Sequence, residues 1–307
     1  MRLLVTGASG LIGRHVVDCA ATDPAIELIA SARHQPSTLP QSVAFVATDL
    51  TVADEAAALI EEVVPSHIIH CAWETTQPSY WNDSANFDWV EATARMAEAF
   101  AASGGTRFVQ LGSCAEYLWN ESRCIENETP SQPATVYGKA KLRAFAAVQA
   151  AAGSRFEAVE ARIFSVFGPG ENPARFIPLI CRSHLAGAVP ELGSGAQLRD
   201  LLHATDAARA LLTLASPTAP CGVVNIGSGE PVRLSEVATT LARIAGAEES
   251  GLGRRPDRVG DPNFLVASSD LIRSTGWEPT YLLEDGLAES FNWWAGEMDE
   301  AQFPPGG

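Results

Sequence analysis

Tyr137 and Lys141 are the first residues whose types and spacing could do chemistry. They lie in a stretch, 136–152, whose alanine-rich composition predicts a helix. Residues i and i+4 share one face of a helix, so both side chains can point into a single site. A free phenol ionises near pH ~10, but a neighbouring ammonium stabilises the phenolate and brings that pKa towards neutrality. The pair could therefore donate and accept a proton, although the same spacing occurs by chance on many helices.

A hydroxyl and a thiol follow a predicted strand upstream of this helix. The apolar run 107–112 is typical of a buried strand, and it leads into the segment Gly-Ser-Cys-Ala-Glu-Tyr at 112–117. Ser113 could be a reacting hydroxyl, Cys114 could be an acid–base thiol, or both could be ordinary packing residues. Combined with Tyr137 and Lys141, Ser113 supplies a hydroxyl that can bond to a substrate oxygen. These three residues are the candidate catalytic set.

A glycine-rich loop joins the first predicted strand, 2–6, to the first predicted helix, 11–22. Glycines allow a tight turn and a close approach of the backbone to a diphosphate, whose charge then lies at the helix N-terminus. Such loops are also common as simple turns, but this one occupies the first strand–helix connection of an alternating chain. The loop predicts a dinucleotide site whose contacts are Gly7, Ser9, Gly10, Leu11, Ile12 and Gly13.

The end of the second predicted strand bears on the choice of dinucleotide. A site for NAD normally has an acidic residue there, to bind the adenosine ribose. This chain instead has Ala-Ser-Ala-Arg-His at 30–34. Arg33 can pair with a 2′-phosphate, which favours NADP(H) over NAD(H), although a solvated loop arginine is the alternative. Asp49 and Leu50, after the third strand, suit a contact with adenine, and an exposed loop aspartate is the plainer interpretation.

Apolar strand-like runs alternate with alanine-rich helical stretches over the first half of the chain. This alternation predicts an α/β protein with a Rossmann-type doubly wound parallel sheet. After Gly168 the pattern loosens, and we expect a smaller C-terminal α/β substrate domain. We divide the chain into a dinucleotide-binding domain, 1–165, and a second domain, 166–307, with segment 197–226 returning to the first. The predicted strands are 2–6, 26–32, 43–47, 67–72, 107–112, 156–164 and 223–226, and the predicted helices are 11–22, 52–63, 84–103, 136–152 and 204–215.

Composition limits the classes of partner. A net charge of −16 and a pI near 4.7 argue against binding to nucleic acid or to an anionic membrane surface. The six cysteines are scattered without zinc-site spacing, as expected for reduced thiols, and we expect no metal. The N-terminal apolar run breaks into glycines too early for a signal peptide, and no run approaches a membrane span. These features favour a cytoplasmic protein.

The chain resembles the extended short-chain dehydrogenase/reductases of the nucleotide-diphosphate-sugar epimerase/dehydratase family, almost end to end. The glycine spacing is the GxxGxxG variant, and Ser113 precedes Tyr117 by the four residues typical of the family, so Ser113 takes the catalytic position. The resemblance implies cofactor contacts at Cys71, Ala72 and Trp73, and a homodimer formed through helices 84–103 and 136–152. It also implies that substrate is bound by Ser113, Ser165, Arg199 and Arg258, the two arginines holding the diphosphate; Ser165 departs from the family's usual asparagine. The segments that carry the resemblance also include 162–169, 199–203, 225–229 and 276–279.

Subtypes of this family differ at the turn after Ser113. The 4,6-dehydratases have Thr-Asp-Glu there, whereas this chain has Ser-Cys-Ala at 113–115, so the carboxylates that dehydration needs are missing. Glu116 comes one residue late and is expected to face away. Epimerase-reductases of the GDP-fucose-synthase type carry a cysteine two residues before the tyrosine, where this chain has Ala115, so Cys114 is expected to be a packed thiol.

The motif is most similar to that of reductases of 4-keto-6-deoxy-sugars linked to a nucleotide diphosphate. The leading hypothesis is an NADPH-dependent reductase of such a sugar. The first alternative is a nucleotide-sugar 4-epimerase that holds NAD tightly and uses the same three residues. The second is a non-catalytic NADP-sensing protein, against which the intact catalytic set weighs.

Overall fold

A computed structural model of the chain describes residues 1–77, 79–120 and 122–302. Its strands are β1 Arg2–Thr6, β2 Glu27–Ala32, β3 Ala44–Ala47, β4 His67–His70, β5 Arg107–Ser113, β6 Glu157–Ile163, β7 Ser165–Phe167, β8 Leu198–His203, β9 Gly222–Ile226, β10 Pro231–Arg233 and β11 Phe264–Leu265. Its helices are α1 Leu11–Ala20, α2 Glu55–Val63, α3 Asn86–Ala102, α4 Val136–Ala152, α5 Phe176–Leu185, α6 Ala204–Leu214, α7 Leu234–Ile244, α8 Asp270–Arg273 and α9 Leu283–Gln302. Short 3₁₀ turns, Ser79–Trp81 and Cys114–Glu116, follow β4 and β5.

Within the described ranges, seven strands form one parallel sheet in the order β3-β2-β1-β4-β5-β6-β9. Helices α1 and α6 cover one face, and α2, α3 and α4 cover the other. Leu3, Leu4 and Val5 of β1 are fully buried because a strand covered on both faces must be apolar along its whole length. The predicted fold class, a Rossmann-type doubly wound parallel sheet, is therefore confirmed.

The strand order reverses between β1 and β4, the position at which sheets of this type open a crevice for ligands. The glycine loop follows β1, Arg33 follows β2, and Ser113 ends β5, so these predicted residues all lie at the carboxyl edge of the sheet. The fourth strand ends at His70 rather than at residue 72. Cys71 and Ala72 therefore belong to the loop that faces the glycine turn.

A smaller mixed sheet forms the C-terminal region. Its central strand β8 pairs with β7 and β11 in parallel and with β10 in antiparallel, and α5, α7 and α9 surround its core. The segment 197–226 is divided between the two sheets, because β8 lies in the smaller one while β9 pairs with β6 in the larger one. None of the helices in the described residues is long and apolar enough to cross a membrane.

Candidate active site

Ser113 and Tyr137 meet where β5 ends and α4 begins. Ser113 caps the 3₁₀ turn that follows it, and its Oγ accepts a hydrogen bond from Ala115 N at 3.1 Å. Thr135 caps α4 by accepting from Gly138 N at 3.0 Å. A Cβ atom at Gly138 would overlap Ala115 O, so only glycine lets the first turn of α4 lie against the turn that carries Ser113.

Tyr137 is enclosed by aromatic side chains. It is 8% exposed, and its ring makes edge contacts with Tyr80, Trp81 and Trp73, whose ring centres lie 5.0, 5.7 and 6.4 Å away. Burial, followed by the neighbouring Tyr80, raises the pKa of Tyr137, while a hydrogen bond with Ser113 acts in the opposite direction. The expectation that this phenol has a depressed pKa is therefore not met in this structure, because loss of hydration dominates.

Lys141 lies one helical turn beyond Tyr137 and is 2% exposed. Its Nζ donates to Leu111 O at 2.8 Å and lies 3.8 Å from the centre of the Trp73 ring and 6.0 Å from that of Tyr137. Burial lowers the pKa of Lys141 from 10.5 to about 8, against the opposing effect of Glu116. The structure thus brings the predicted Ser113, Tyr137 and Lys141 together.

The glycine loop fits a diphosphate. Gly7 has a φ of +67°, and a Cβ atom there would lie 2.6 Å from Ala72 N, so the loop after β4 leaves no room for a side chain. Gly13 is packed against Gly7 O in the same way. Gly10 is the N-cap residue of α1. Because glycine has no side chain, it gives no capping hydrogen bond to the first backbone amides of the helix. A bound dinucleotide would place its charged oxygens against these amides.

A cavity of about 350 Å³ lies where the adenosine end of a dinucleotide would extend. The Arg33 side chain is 62% exposed, and its guanidinium lies 3.8 Å from the Glu74 carboxylate. Asp49 accepts from Thr51 Oγ1 at 2.7 Å, and this hydrogen bond lowers its pKa. Leu50 is 4% exposed and packs into the core below. The cavity is lined by Arg33, His34, Ala47, Thr48, Asp49 and Glu55.

The predicted diphosphate arginines differ in their surroundings. Arg199 is 7% exposed, and its Nη2 donates to Asp261 Oδ1 at 2.7 Å. Arg258 is exposed, in the loop that folds back through Asp261 onto Arg199. Ser165 is half-buried at the start of β7. Arg199 is therefore held in an ion pair, and Arg258 is the more accessible of the two cations.

Glu171 and Arg175 are residues that the sequence did not single out. Arg175 Nε donates to Glu171 Oε1 at 2.8 Å. Its charge lowers the pKa of Tyr80, and both Tyr80 and Tyr137 raise the pKa of Arg175. Glu171 is 4% exposed, and among the described residues its Oε2 has no hydrogen-bond partner. Burial raises the pKa of Glu171 from 4.5 to about 7. The spacing of four residues between them is typical of an ion pair on a helix. It falls in a segment whose glycines and prolines predict a turn, so the pair was not predicted.

Comparisons with known proteins agree with this geometry. The sequence model of the NAD dependent epimerase/dehydratase family matches residues 3–227. A UDP-glucose 4-epimerase of Azospirillum brasilense is 28% identical, over 98% of this chain and 93% of the relative. A mouse dTDP-D-glucose 4,6-dehydratase is 24% identical, over 95% and 88%. A GDP-L-fucose synthase of Sinorhizobium fredii is 26% identical, over 94% of each.

A solved structure of MoeE5 in complex with UDP-glucose and NAD superposes with a TM-score of 0.84 at 28% identity, covering 97% of this chain and 100% of that one. The family match spans more than half of the residues, from the glycine loop through β9. It therefore includes the Ser113, Tyr137 and Lys141 constellation. The chain belongs to the NAD-dependent epimerase/dehydratase family of nucleotide-sugar enzymes.

Proposed function

We propose that this protein is an NADPH-dependent reductase of a 4-keto-6-deoxy-hexose linked to a nucleotide diphosphate. The carrying observation is the turn after β5, where Cys114 and Ala115 stand in place of the two acids that a dehydratase has next to the hydroxyl residue matched by Ser113. The one carboxylate of that turn, on Glu116, is fully buried and bonded to Ser113 N. The described turn 113–117 thus offers no accessible carboxylate for proton transfer at C5 and C6, whereas reduction at C4 needs only Ser113, Tyr137 and Lys141.

The chemistry follows from what each side chain can hold. A bound nicotinamide would supply the hydride. Tyr137 donates its phenol proton to the oxygen on C4, and the Lys141 ammonium stabilises the phenolate that this leaves. Ser113 Oγ binds the same oxygen and stabilises the negative charge that develops on it. Lys141 places a positive charge below the phenol and is available to the ribose hydroxyls.

The binding assignments extend this proposal. Residues 1–165 would hold the dinucleotide, with Arg33 on the 2′-phosphate, and residues 166–307 would hold the nucleotide sugar, with Ser165, Arg199 and Arg258 at its sugar and diphosphate. NADP(H) is preferred over NAD(H) because an arginine stands where NAD sites have an acid. The remaining cofactor contacts proposed are Gly7, Ser9, Gly10, Leu11, Ile12, Gly13, Asp49, Leu50, Cys71, Ala72, Trp73, Tyr137 and Lys141.

A nucleotide-sugar 4-epimerase with tightly bound NAD is the second candidate. It is supported by the likeness to the Azospirillum epimerase and to MoeE5, whose structure contains NAD and UDP-glucose. An epimerase would use Tyr137 first as a base on the C4 hydroxyl and then as an acid, when the hydride returns to the other face of the sugar. A sensor that binds NADP without turnover would have no need of all three catalytic side chains.

The deciding experiment combines mass spectrometry of the nucleotide that co-purifies with an assay of two substrates. We expect empty or NADP-loaded protein that oxidises NADPH with dTDP-4-keto-6-deoxyglucose or GDP-4-keto-6-deoxymannose. Bound NAD together with interconversion of UDP-glucose and UDP-galactose would establish the epimerase instead. Tight NADP binding without turnover of any of these substrates would favour the sensor.

We also propose a homodimer in which α3 and α4 of two subunits form a four-helix interface. The two helices pack side by side within the chain, and Arg143 of α4 lies over the Phe87 ring of α3 at 5.0 Å, so they present one continuous outer surface. Light scattering should give about twice the chain mass of 32.5 kDa. A monomer mass over a wide range of concentrations would contradict the dimer.

A further inference from the structure

Glu116 places a buried carboxylate directly behind Ser113. The residue closes the 3₁₀ turn Cys114–Glu116 and is fully buried. Its Oε1 accepts a hydrogen bond from Ser113 N at 2.7 Å, while Ser113 Oγ accepts from Ala115 N at 3.1 Å. This reciprocal arrangement is a capping box, which fixes both the backbone and the side chain of the capping residue. The orientation of the Ser113 hydroxyl therefore depends on Glu116.

Charged groups from neighbouring elements surround this carboxylate. Arg162 lies on β6. Its Nη2 is 3.4 Å from Glu116 Oε2, and its Nε donates to Glu160 Oε2 at 2.9 Å. The same guanidinium donates to Ser131 Oγ at 3.0 Å and lies 4.4 Å from the Tyr117 ring centre. The charge of Lys141, on α4, also acts on Glu116.

Two carboxyl groups share one guanidinium in a region closed to water. Glu116 Oε2 and Glu160 Oε1 are both buried, and neither atom forms a hydrogen bond with any residue that the structure describes. Two anions side by side at such a position would be costly, and one proton held between the carboxyls removes both the repulsion and the unpaired oxygens. Burial raises the pKa of both groups, and that of Glu160 is raised well above 4.5, further increased by the charge of Glu116. Glu116 Oε1 accepts from Ser113 N and Glu160 Oε2 accepts from Arg162 Nε, so a proton held between the pair would lie on the two remaining oxygens.

Gly112 of β5 leaves space for the side chains of Glu116 and Glu160. A Cβ atom at Gly112 would lie 2.8 Å from Glu160 Cγ and 3.0 Å from Glu116 Oε1, so the glycine makes room for the two side chains. We infer that Glu116 is a positioning residue, whose carboxyl group, held by Arg162, fixes Ser113 so that its hydroxyl faces the reacting oxygen. This inference rests on the proposed function, in which Ser113 binds that oxygen.

Two substitutions at Glu116 separate positioning from charge. Glu116→Asp keeps a carboxylate near Arg162 but is too short to reach Ser113 N, whereas Glu116→Gln loses the charge but keeps an oxygen within reach. The measurement is the single-turnover rate of NADPH oxidation with dTDP-4-keto-6-deoxyglucose. We expect Glu116→Asp to slow this step about 10-fold or more, in the direction of Ser113→Ala. Glu116→Gln should retain most of the rate.

A double-mutant cycle tests whether Glu116 acts through Ser113. In the Ser113→Ala background, Glu116→Asp should cause no further loss beyond about two-fold, because the hydroxyl that it positions is gone. Glu126→Ala is the matched control, since Glu126 is a buried glutamate whose Oε1 accepts from the backbone N of Asn225 at 2.8 Å, outside the candidate site. It should lower the unfolding temperature and leave the rate within about two-fold.

The outcomes distinguish this inference from the proposed function. If Ser113→Ala keeps the full rate, the catalytic assignment of Ser113 is wrong and the proposed function fails. If Ser113→Ala is slow but Glu116→Asp is not, or if the losses multiply in the double variant, the positioning role is overturned. Infrared spectroscopy at pH 7.5 checks the shared proton without turnover: the protonated-carboxyl band should be weaker in Glu160→Gln than in the native protein. An unchanged band in that variant would remove Glu160 as its source.

Discussion

Lys141 Nζ lies 3.8 Å from the centre of the Trp73 ring. The indole is itself fixed, because its Nε1 donates to Asn86 Oδ1 at 2.8 Å and its ring stacks on Trp89. A cation over an indole face is stabilised by roughly 0.5–2 kcal/mol, the larger values applying where water is excluded. The aromatic ring therefore opposes the burial that lowers the pKa of Lys141 to about 8.

The first prediction concerns the alkaline limit of activity. The rate should fall above pH 8 as the Lys141 ammonium loses its proton. Trp73→Leu removes the cation–π contact and should move this limit downward by up to about one pH unit. Trp73→Phe should keep part of the contact and therefore shift the limit less. The measurement is the pH dependence of kcat/KM for NADPH-dependent reduction. An identical limit in Trp73→Leu and the native protein would contradict the contact's role.

The second prediction concerns the choice of cofactor. Titration should show NADPH binding at least several-fold more tightly than NADH, and Arg33→Ala should abolish most of that difference. Glu74 lies 3.8 Å from the Arg33 guanidinium and competes with a 2′-phosphate for it. Glu74→Gln should therefore tighten NADPH binding and leave NADH binding unchanged. Equal affinities for the two cofactors in the native protein would refute the assignment to NADP(H).

The third prediction links Glu171 to stability. Burial raises the pKa of Glu171 from 4.5 to about 7, so the folded state binds a proton that the unfolded state has released between these pH values. The stabilisation is complete below pH 4.5 and is lost as the pH rises through 7, amounting to about 3 kcal/mol. Glu171→Gln should remove this pH dependence. Urea unfolding at pH 5 and pH 8 measures it, with the exposed Glu128→Gln as control, and parallel curves for native and Glu171→Gln protein would disprove it.

The large sheet could be predicted from sequence because its central strands carry buried apolar runs, such as 3–5 in β1 and 68–69 in β4, although polar residues interrupt β5 and β6. β8 was placed with the first domain, yet it belongs to the smaller sheet. Its position depends on tertiary hydrogen bonds, since the Asp200 carboxylate accepts from the amides of Ser228, Gly229 and Ala267. No local sequence pattern predicts these hydrogen bonds, because they join segments that are far apart in the chain.

The catalytic side chains could be predicted because a helix repeats every 3.6 residues, which places Tyr137 and Lys141 on one face. Glu116 was expected to face away from the site, and it does lie behind Ser113 rather than beside it. Its bond to Ser113 N did have a sequence signal, the Ser-x-x-Glu spacing of a capping box at 113–116, which was passed over because no helical pattern follows it. Glu171 and Arg175 were missed since the loop conformation, rather than residue spacing, brings them towards Tyr80 and Tyr137.

The last prediction separates the two candidate proton donors. Tyr137→Phe removes the phenol proton and should slow turnover by a factor of about 10² to 10⁴, while cofactor still binds. Cys114 packs beside Tyr117 and Phe164, and burial raises the pKa of its thiol to about 12, so it stays protonated and has no assigned step. Cys114→Ser should therefore keep its rate within about two-fold. If Cys114→Ser abolished turnover while Ser113→Ala did not, the alignment of the turn after β5 would be wrong, and the chain would be grouped with the enzymes that use a cysteine.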